Sequence, residues 1–477
     1  MESNSTQNHV EDADRFSKLP DDILLDILGK GNMRACIRAS FLSARWRHLP
    51  SLVPYISLQI SDFLHSDNAL DPVAINEAMS CMTKVARISL AAPGKKGIMK
   101  EISLRLLLST NYLYDIGKIV CEAIDIGEVK SVELALPTVK FSLDCNEMDM
   151  LQHATDLICF FDATTTLFRH LSRLFLHNAR FDELQMHHLL SSCKQLQHLM
   201  LNNCDTGDES VLKIDMPNSK ISYLKLRSCR FERVEFLCLP KLSELHYELW
   251  YSFNTPFSFG LVPCLEELRL VCSMAHYQSG LNLSELLHGT KELHALTLDF
   301  QGEKVWMLPE GQNVYASFRN LSKLFMHGIY VRFGLLWTKT LLEAAPSLKT
   351  FGIKVWDHVC DNNSEETRSL YAKRTNPWQI NNTMNSSRHL HLTRFQFGGF
   401  MAVKKHLQFV RAIMDYASSL DTILLEDKDF CEDCDAINSN RNCSSIGSMF
   451  PRNKCERDTI RSQLGVGVSC TTQIIFK

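Results

Sequence analysis

One short phrase recurs along the chain and constrains its fold more than any other feature: apolar, two residues, apolar, one residue, apolar. It reads LSRLFL from Leu171, LQHLML from Leu196 and ISYLKL from Ile221. Further copies begin at Leu242, Leu265, Leu293, Leu321, Leu348, Leu392 and Leu420, and weaker ones at Val85 and Val129. Alternate side chains of a β-strand face opposite sides, so Leu174 and Leu176 are predicted to point inward.

From Leu171 to Leu348 successive copies start 21 to 28 residues apart, a period typical of leucine-rich repeats. One such unit cannot bury its apolar face alone, and stacked units form a continuous core with a parallel sheet. Helix-like runs precede the copies at Leu196, Leu293, Leu348 and Leu420, whereas VEFLCLP and FSFGLVP predict extended returns. We therefore predict an α/β solenoid. The alternative is a generic α/β protein with leucine-rich strands.

The N-terminal residues 15–52 have a different, helical pattern. Pro20 and two acids favour the first turn of a helix, and the apolar residues that follow lie at helical spacing. A second helix is predicted to carry Cys36, Ile37, Phe41 and Leu42, followed by Trp46. So few residues form little core of their own, and the pattern alone is also that of an ordinary helical hairpin.

The strings LPDDILLDIL and IRASFLSARWRHL resemble the F-box of plant F-box proteins, which is often joined to leucine-rich repeats. The resemblance implies that this module docks a Skp-type adaptor, and through it a cullin. The repeats would hold a target for ubiquitin transfer by a separate RING/E2 pair. The matching adaptor-binding residues are Leu19, Pro20, Ile23, Leu24, Ile27, Leu28, Ile37, Leu42 and Trp46. The stretch 29–33 lacks the apolar residues and proline usual in the family, which removes apolar area from that interface.

The C-terminal third departs from the regular repeat. Residues 360–388 are polar and predict a loop insertion, and the segment 389–430 resembles the FBD-type repeat of plant F-box/leucine-rich-repeat proteins. The predicted organisation is a disordered tail at 1–14, F-box-like helices at 15–52, a solenoid at 53–359, the insertion at 360–388, the FBD-like repeat at 389–430 and a tail segment at 431–477.

The cysteines near the C-terminus raise the question of a metal site. Cys431 and Cys434 form a C-x-x-C pair, Cys443 follows nine positions after Cys434, and Cys455 follows twelve positions after Cys443. Structural zinc sites usually add a second close pair, so we predict no metal and no cofactor. The chain also lacks G-x-S-x-G, H-E-x-x-H and P-loop motifs, so we predict that it is not an enzyme. A zinc-dependent enzyme using these cysteines is a third, weaker hypothesis.

The outward positions of the predicted strands are the candidate target-binding residues. The first three rows are aromatic and basic and the next rows are acidic, which suits recognition by complementary charge on the concave face of a curved solenoid. They are Arg173, Phe175, His177, His198, Met200, Tyr223, Lys225, Arg227, Glu244, His246, Glu267 and Arg269. The alternative is a solvated sheet face that binds nothing.

Composition excludes several other classes of protein. The chain has 51 Lys and Arg against 54 Asp and Glu, a net charge of -3, so non-specific nucleic-acid binding is not predicted. No apolar run approaches the ~18 residues of a membrane span, and the polar N-terminus is not a secretory signal. The odd number of cysteines, 17, suits a reducing compartment, so we predict an intracellular protein of nucleus or cytoplasm.

The predicted function is the substrate-recognition subunit of an SCF-type ubiquitin ligase. The alternative is a repeat scaffold whose degenerate F-box has no ligase role.

Overall fold

The computed structural model places most of the chain. It describes residues 19–41, 43–64, 71–90, 100–108, 111–127, 129–208, 210–250, 252, 254–272, 280–310, 315–358, 375–378, 390–431, 434, 449–465 and 472–477. The chain forms two compact units. The first comprises residues 1–175 with 192–195, and the second comprises 176–191 with 196–477.

The first unit begins with three short helices, α1 (Asp21–Lys30), α2 (Met33–Ala39) and α3 (Leu49–Leu52). Pro20 precedes α1 and two aspartates occupy its first turn, as the sequence predicts. The Asn32 side chain accepts a hydrogen bond of 2.8 Å from the Ala35 backbone N–H and so caps α2. The second helix is shorter than predicted, because it ends before Phe41.

Strands then alternate with long helices in the first unit. The strands β1 (Tyr55–Gln59), β2 (Lys100–Arg105) and β3 (Val129–Leu136) pair in parallel in that order. The intervening helices are α4 (Pro72–Leu90) and α5 (Asn111–Asp125), and α6 (Glu147–Ala163) and α7 (Thr165–Arg169) follow β3. The predicted copy at Val129 is confirmed as a strand.

The weak copy at Val85 is wrong as a strand, because residues 85–90 lie within α4. Ile75, Met79, Met82 and Ala86 are buried at spacings of three and four residues. That helical stripe extends through VARISL and decides its conformation.

The second unit contains the regular array predicted from the phrase. The strand β4 (Leu171–Arg180) is divided between the two units after Phe175. The strands that follow in order of pairing, all parallel, are β5 (His198–Asp205), β7 (Tyr223–Arg227), β9 (Glu244–Glu248), β11 (Glu267–Val271), β12 (Ala295–Asp299), β13 (Lys323–Tyr330), β14 (Thr350–Trp356), β15 (Arg394–Gly398), β16 (Thr422–Glu426) and β17 (Gln473–Phe476). The parallel pairing confirms the predicted parallel sheet, and the inward leucines of the phrase are buried beneath it.

The returns of this array are of two kinds, as predicted. The segments VEFLCLP and FSFGLVP form β8 (Arg233–Cys238) and β10 (Phe257–Leu261), which join β6 (Val211–Asp215) in a second, three-stranded parallel sheet. The other returns are the helices α8 (Glu183–Ser192), α9 (Leu283–Leu286), α10 (Tyr315–Phe318), α11 (Thr338–Ala344), α12 (Lys404–Tyr416) and α13 (Lys454–Gly465). Among the described residues no helix has the length and apolarity needed to cross a membrane.

A left-handed backbone residue recurs in four successive repeats, inside β4 and β5 and directly after β7 and β9. Asn178, Asn203, Ser228 and Leu249 each lie two residues after the second inward residue of a copy, and each has φ between 50° and 57°. The Asn203 side-chain amide donates a buried hydrogen bond of 2.7 Å to the Asn178 side-chain oxygen. Asparagine tolerates this left-handed region better than most residues, and the hydrogen bond between the two asparagines links β4 to β5 at this position.

The prediction of a tail at 431–477 is wrong for residues 449–465 and 472–477. They form α13 and β17, and β17 pairs in parallel with β16 as one more repeat. Ile460 and Leu464 are buried on α13, and the Phe450 and Phe476 rings pack 6.3 Å apart. This repeat lacks the leucine phrase, because its strand reads QIIF, and the sequence pattern therefore missed it.

The predicted insertion at 360–388 lies mostly outside the described residues. Of its residues, 375–378 are described, and Trp378 is buried against Trp337 with the rings 5.4 Å apart. The Trp378 indole N–H donates a hydrogen bond of 3.1 Å to the Met307 carbonyl. This part of the insertion therefore packs onto the repeats.

Candidate partner-binding surfaces

The N-terminal helices bury part of the predicted adaptor-binding set. Leu24, Leu28, Ile37 and Trp46 are each less than a tenth exposed. They form the small core of the module, so their contribution to an adaptor surface would be indirect. Leu42 lies outside the described residues.

Another part of the set stays at the surface. Ile23 is 44% and Ile27 39% exposed, and the two lie one helical turn apart on the same face of α1. Pro20 is exposed beside them and Leu19 is half-buried. Phe41, which the resemblance did not include, is 81% exposed in the turn after α2.

An ion pair holds the two ends of this module together. The Arg45 guanidinium donates to the Asp21 carboxylate at 2.7 Å and also to the Leu19 carbonyl. Asp21 is in the first turn of α1, and Arg45 directly precedes the 3₁₀ turn that begins at Trp46. The ion pair thus joins the start of α1, the helix that carries the exposed Ile23 and Ile27, to the segment before Trp46.

Exposed and buried side chains alternate along β4. On β4, Arg173 is exposed and Phe175 and His177 are half-buried, while Leu174 and Leu176 are buried. In the first unit the Arg173 guanidinium lies 3.3 Å from the Glu133 carboxylate of β3. The candidates from His198 to Arg269 lie in the second unit.

Three aromatic rings contact one another across neighbouring strands of the second unit, in a tilted and an edge-to-face pair. His198 and Tyr223 have ring centroids 5.4 Å apart, and Tyr223 and His246 have centroids 5.2 Å apart. The Tyr223 hydroxyl and His246 Nδ1 are 3.3 Å apart. Burial lowers the pKa of His246 to about 4, so its ring is neutral at pH 7.

A charged ladder crosses the next three strands. The Lys225 ammonium on β7 lies 2.9 Å from the Glu248 carboxylate on β9, and the Arg269 guanidinium on β11 lies 3.5 Å from the same carboxylate. The parallel register places Lys225, His246 and Arg269 side by side. One buried carboxylate is thus held by two cations, and Arg227 adds a further exposed cation at the end of β7. Met200 on β5 is half-buried and lies opposite Lys225 in the parallel register of β5 and β7.

Acidic groups concentrate on β9 and β11. Glu244, His246 and Glu267 have donor atoms within 4.8 Å of one another. Burial and the neighbouring Glu267 charge raise the pKa of Glu244. The predicted sequence of basic rows followed by acidic rows is present, but cross-strand pairs partly neutralise it.

A cavity of about 240 Å³ opens at the carboxyl ends of β12 to β16. One part of the cavity is lined by Arg269, Asp299, His327 and Lys354. Burial is the main reason that the pKa of His327 is lowered. His358, Cys431 and Cys434 line another part of the same cavity. Sequence reasoning did not connect His358 to the cysteines, because 76 residues separate it from Cys434.

The sequence hypothesis about the other two cysteines does not match this arrangement. Cys455 is exposed on α13 and Cys443 lies outside the described residues. Only the C-x-x-C pair of the four is brought to the cavity among the described residues.

Comparison with known proteins agrees with both ends of this architecture. The family model described as "At1g61320/AtMIF1, LRR domain" matches residues 141–456, and the F-box domain model matches residues 16–55. The Arabidopsis thaliana F-box/FBD/LRR-repeat protein At5g56420 is 24% identical over 58% of this chain and 70% of its own length. The Arabidopsis putative F-box protein At3g58860 is 24% identical over 84% of this chain and 89% of its own.

Among solved structures, the crystal structure of a TLR13–ssRNA13 complex aligns with 69% of this chain and 49% of its own chain. The identity is 13% and the TM-score 0.26, a likeness too low to carry a structural conclusion. The repeat-domain match, in contrast, covers more than half of the chain. The chain therefore belongs to the At1g61320/AtMIF1 LRR domain family and is a plant F-box/leucine-rich-repeat protein.

Proposed function

We propose that the protein is the substrate-recognition subunit of an SCF-type cullin ubiquitin ligase. The F-box module would dock a Skp-type adaptor and the repeats would hold the protein to be ubiquitinated. The mechanism is proximity, because tethering a target beside the ligase raises its effective concentration without chemistry by this chain. The F-box match at residues 16–55, together with the exposed apolar residues of that module, is the observation that carries the proposal.

The adaptor surface is narrower in this proposal than the family resemblance implies. Ile23, Ile27 and Phe41 are large apolar side chains held at the surface of a small module. Their burial by a partner would stabilise a complex, since fully burying an exposed apolar side chain contributes about 1.5–3 kcal/mol and the partly covered Ile23 and Ile27 would contribute less. The stretch between α1 and α2 adds little to this surface, because Met33 is buried and Asn32 serves as a cap.

Adaptor capture tests the docking half of the proposal. We expect an immobilised Skp-type adaptor to retain the full chain and to bind an Ile23→Asp/Ile27→Asp variant at least about tenfold more weakly, because tenfold requires only ~1.4 kcal/mol. The matched control is Val73→Asp/Ile88→Asp, which places the same charges on residues of α4 that are 63% and 53% exposed.

The control variant should bind like the wild type. Equal binding by the α1 variant would remove Ile23 and Ile27 from the interface. Failure of the wild type itself to be captured would support the alternative, a repeat scaffold whose F-box has no ligase role.

The target half of the proposal uses the outward strand residues of the second unit. Aromatic rings at Tyr223 and His198 and exposed charges such as Arg227 give the mixture of anchors and charges that protein interfaces favour. The residues already paired across strands, such as Lys225, would set the orientation of a bound target. They would contribute less affinity, since their charges are partly neutralised.

Affinity capture under proteasome inhibition tests this half. We expect a co-purifying protein that accumulates on inhibition, that becomes ubiquitinated with the reconstituted ligase, and that is lost with Arg227→Glu. Lys241→Glu is the control, because Lys241 is an exposed cation outside the strands. A target retained by Arg227→Glu and lost by Lys241→Glu would contradict recognition through the strand face.

A further inference from the structure

Three soft donor groups from distant parts of the second unit converge beside the cavity described above. His358 lies two residues after β14, and Cys431 and Cys434 follow β16. One donor atom from each residue lies within 4.8 Å of the other two. Cys434 is 4% exposed, and Cys431 and His358 are half-buried, so the cluster is largely shielded from solvent.

The separations suit a tetrahedral zinc ion. Zinc lies ~2.3 Å from a cysteine sulfur and ~2.0–2.1 Å from a histidine nitrogen, so tetrahedral angles place the two donor atoms about 3.6 Å apart. The distance between Cys434 Sγ and His358 Nδ1 is 3.6 Å. A C-x-x-C pair joined by a histidine from another element is also a common donor set for zinc, and thiolates favour zinc over harder divalent ions.

The chain that follows β16 and carries Cys431 and Cys434 passes the end of β15 to reach His358. Strand β15 ends at Gly398, and Gly399, directly after it, has φ +69°. A Cβ on Gly399 would approach Val355 Cγ2 to 2.8 Å, so a larger residue would not fit without displacing its neighbour. The Gly399 backbone N–H donates a hydrogen bond to the Asp427 carbonyl. This bond fixes the chain just before Cys431 against the end of β15.

Two further contacts fix the ligands from the β14 side. The Lys354 ammonium of β14 pairs with the Asp429 carboxylate, two residues before Cys431. The Trp356 and His358 rings pack with centroids 4.3 Å apart, which orients the imidazole. Such outer contacts are typical of zinc sites, where neighbouring groups hold the ligands in place.

We propose that His358, Cys431 and Cys434 bind one zinc ion, which fastens the segment after β16 to the end of β14. The two cysteines would bind as thiolates and release their protons on binding. Three protein ligands leave a fourth position, which borders the cavity and would be filled by water or an exchangeable ligand. This site replaces the expectation of no metal, and it does not depend on the ligase function proposed above.

Metal analysis of the full chain tests the site directly. Protein purified under reducing conditions, loaded with Zn²⁺ and dialysed against metal-free buffer should retain one zinc per chain. Cys431→Ser and His358→Ala should each lower the Zn²⁺ affinity by at least about tenfold. Cys455→Ser and Cys264→Ser are the controls, because both cysteines are exposed and lie outside the cluster.

Cobalt gives a readout of the ligands themselves. Co²⁺ added in place of Zn²⁺ should produce thiolate-to-cobalt charge-transfer absorption, which weakens in Cys431→Ser and is unchanged in Cys455→Ser. Circular dichroism of the Cys431→Ser protein should match the wild type, so that loss of metal is separated from loss of fold. Adaptor capture should be the same for both proteins, since the F-box residues are remote in sequence.

Three results would overturn the proposal. One is zinc retained equally by wild type, Cys431→Ser and His358→Ala, which would place the ion elsewhere. Another is a wild-type chain that retains no zinc after loading and dialysis, since Cys434 and His358 would then form only a thiol–imidazole contact. The third is a Cys431–Cys434 disulfide, found by mass spectrometry in protein kept under reducing conditions.

Discussion

The N-terminal helices and the repeats of the second unit handle their apolar side chains in opposite ways. In the helices, Ile23, Ile27 and Phe41 remain between 39% and 81% exposed around a core of few residues. In the repeats from β5 to β16, the inward residues of each strand are covered by their neighbours, and Leu224, Leu245 and their counterparts in these strands are at most 2% exposed. The repeats also enclose charged groups, which the small module keeps at its surface.

This difference indicates which part of the protein depends on a partner. A module of three short helices has too little volume to cover its own apolar residues, and a partner surface can complete it. The repeat array gains a covered core with each added strand, because stacking supplies the neighbour that a single unit lacks. Its outward face is then free to carry polar and aromatic groups for recognition.

The largest predicted effect concerns a buried ion pair in the repeats. Arg180 contacts Asp205 through Nε–Oδ1 at 2.6 Å and Nη2–Oδ2 at 3.1 Å, and the Asp205 side chain is completely buried. Asp205→Asn leaves the arginine charge without its buried partner. We expect a loss of about 3–5 kcal/mol in the free energy of unfolding, measured by urea denaturation.

Asp208→Asn is the matched control for this variant. Asp208 contacts the same guanidinium at 2.8 Å, but its side chain is 83% exposed. An exposed pair contributes only about 0–1 kcal/mol. If the two variants lost equal stability, the buried pair would not be the source of the difference.

A smaller effect is expected from a buried histidine in the FBD-like segment. His406 is 1% exposed on α12, and burial lowers its pKa to about 4. Its Nδ1 accepts a hydrogen bond of 3.1 Å from the Met401 backbone N–H, so the neutral ring is the form that fits. The unfolded chain, with an ordinary histidine pKa near 6.5, binds the proton first as pH falls.

The folded state is therefore destabilised between pH 6.5 and pH 4. We expect His406 alone to remove about 2 kcal/mol of stability between pH 7.5 and pH 5, because the unfolded state binds more protons over this interval. A His406→Gln variant should show a flatter pH dependence of unfolding. His288→Gln, at an exposed position, should follow the wild type. A wild-type profile unchanged by His406→Gln would contradict this assignment.

Much of this architecture could be predicted from local patterns. Leucines at strand spacing predict the stacked strands, and the β-rich returns VEFLCLP and FSFGLVP predict β8 and β10. VARISL was misleading because a helical stripe that begins at Ile75 outweighs a six-residue strand phrase. The last repeat was missed because its strand, around Ile474, carries no leucine.

The candidate sites were harder to predict, since they depend on residues distant in sequence. No local spacing connects His358 with Cys434, which meet only because β14 and β16 are separated by a single strand. Burial also could not be inferred from the F-box resemblance. Ile23 and Leu24 are both apolar neighbours on α1, yet one is exposed and the other is completely buried.

The smallest predicted change in stability is the one that best separates the two regions. Phe41→Ala removes a side chain that is 81% exposed, so the free energy of unfolding should change by less than about 0.5 kcal/mol. Leu49→Ala, in the same module at a completely buried position, should cost about 2–5 kcal/mol. Adaptor affinity measured on the same proteins decides the meaning of the exposed ring. If Phe41→Ala binds the adaptor more weakly at unchanged stability, the phenylalanine is retained for the partner. If neither quantity changes, the adaptor surface is confined to the α1 face that carries Ile23 and Ile27.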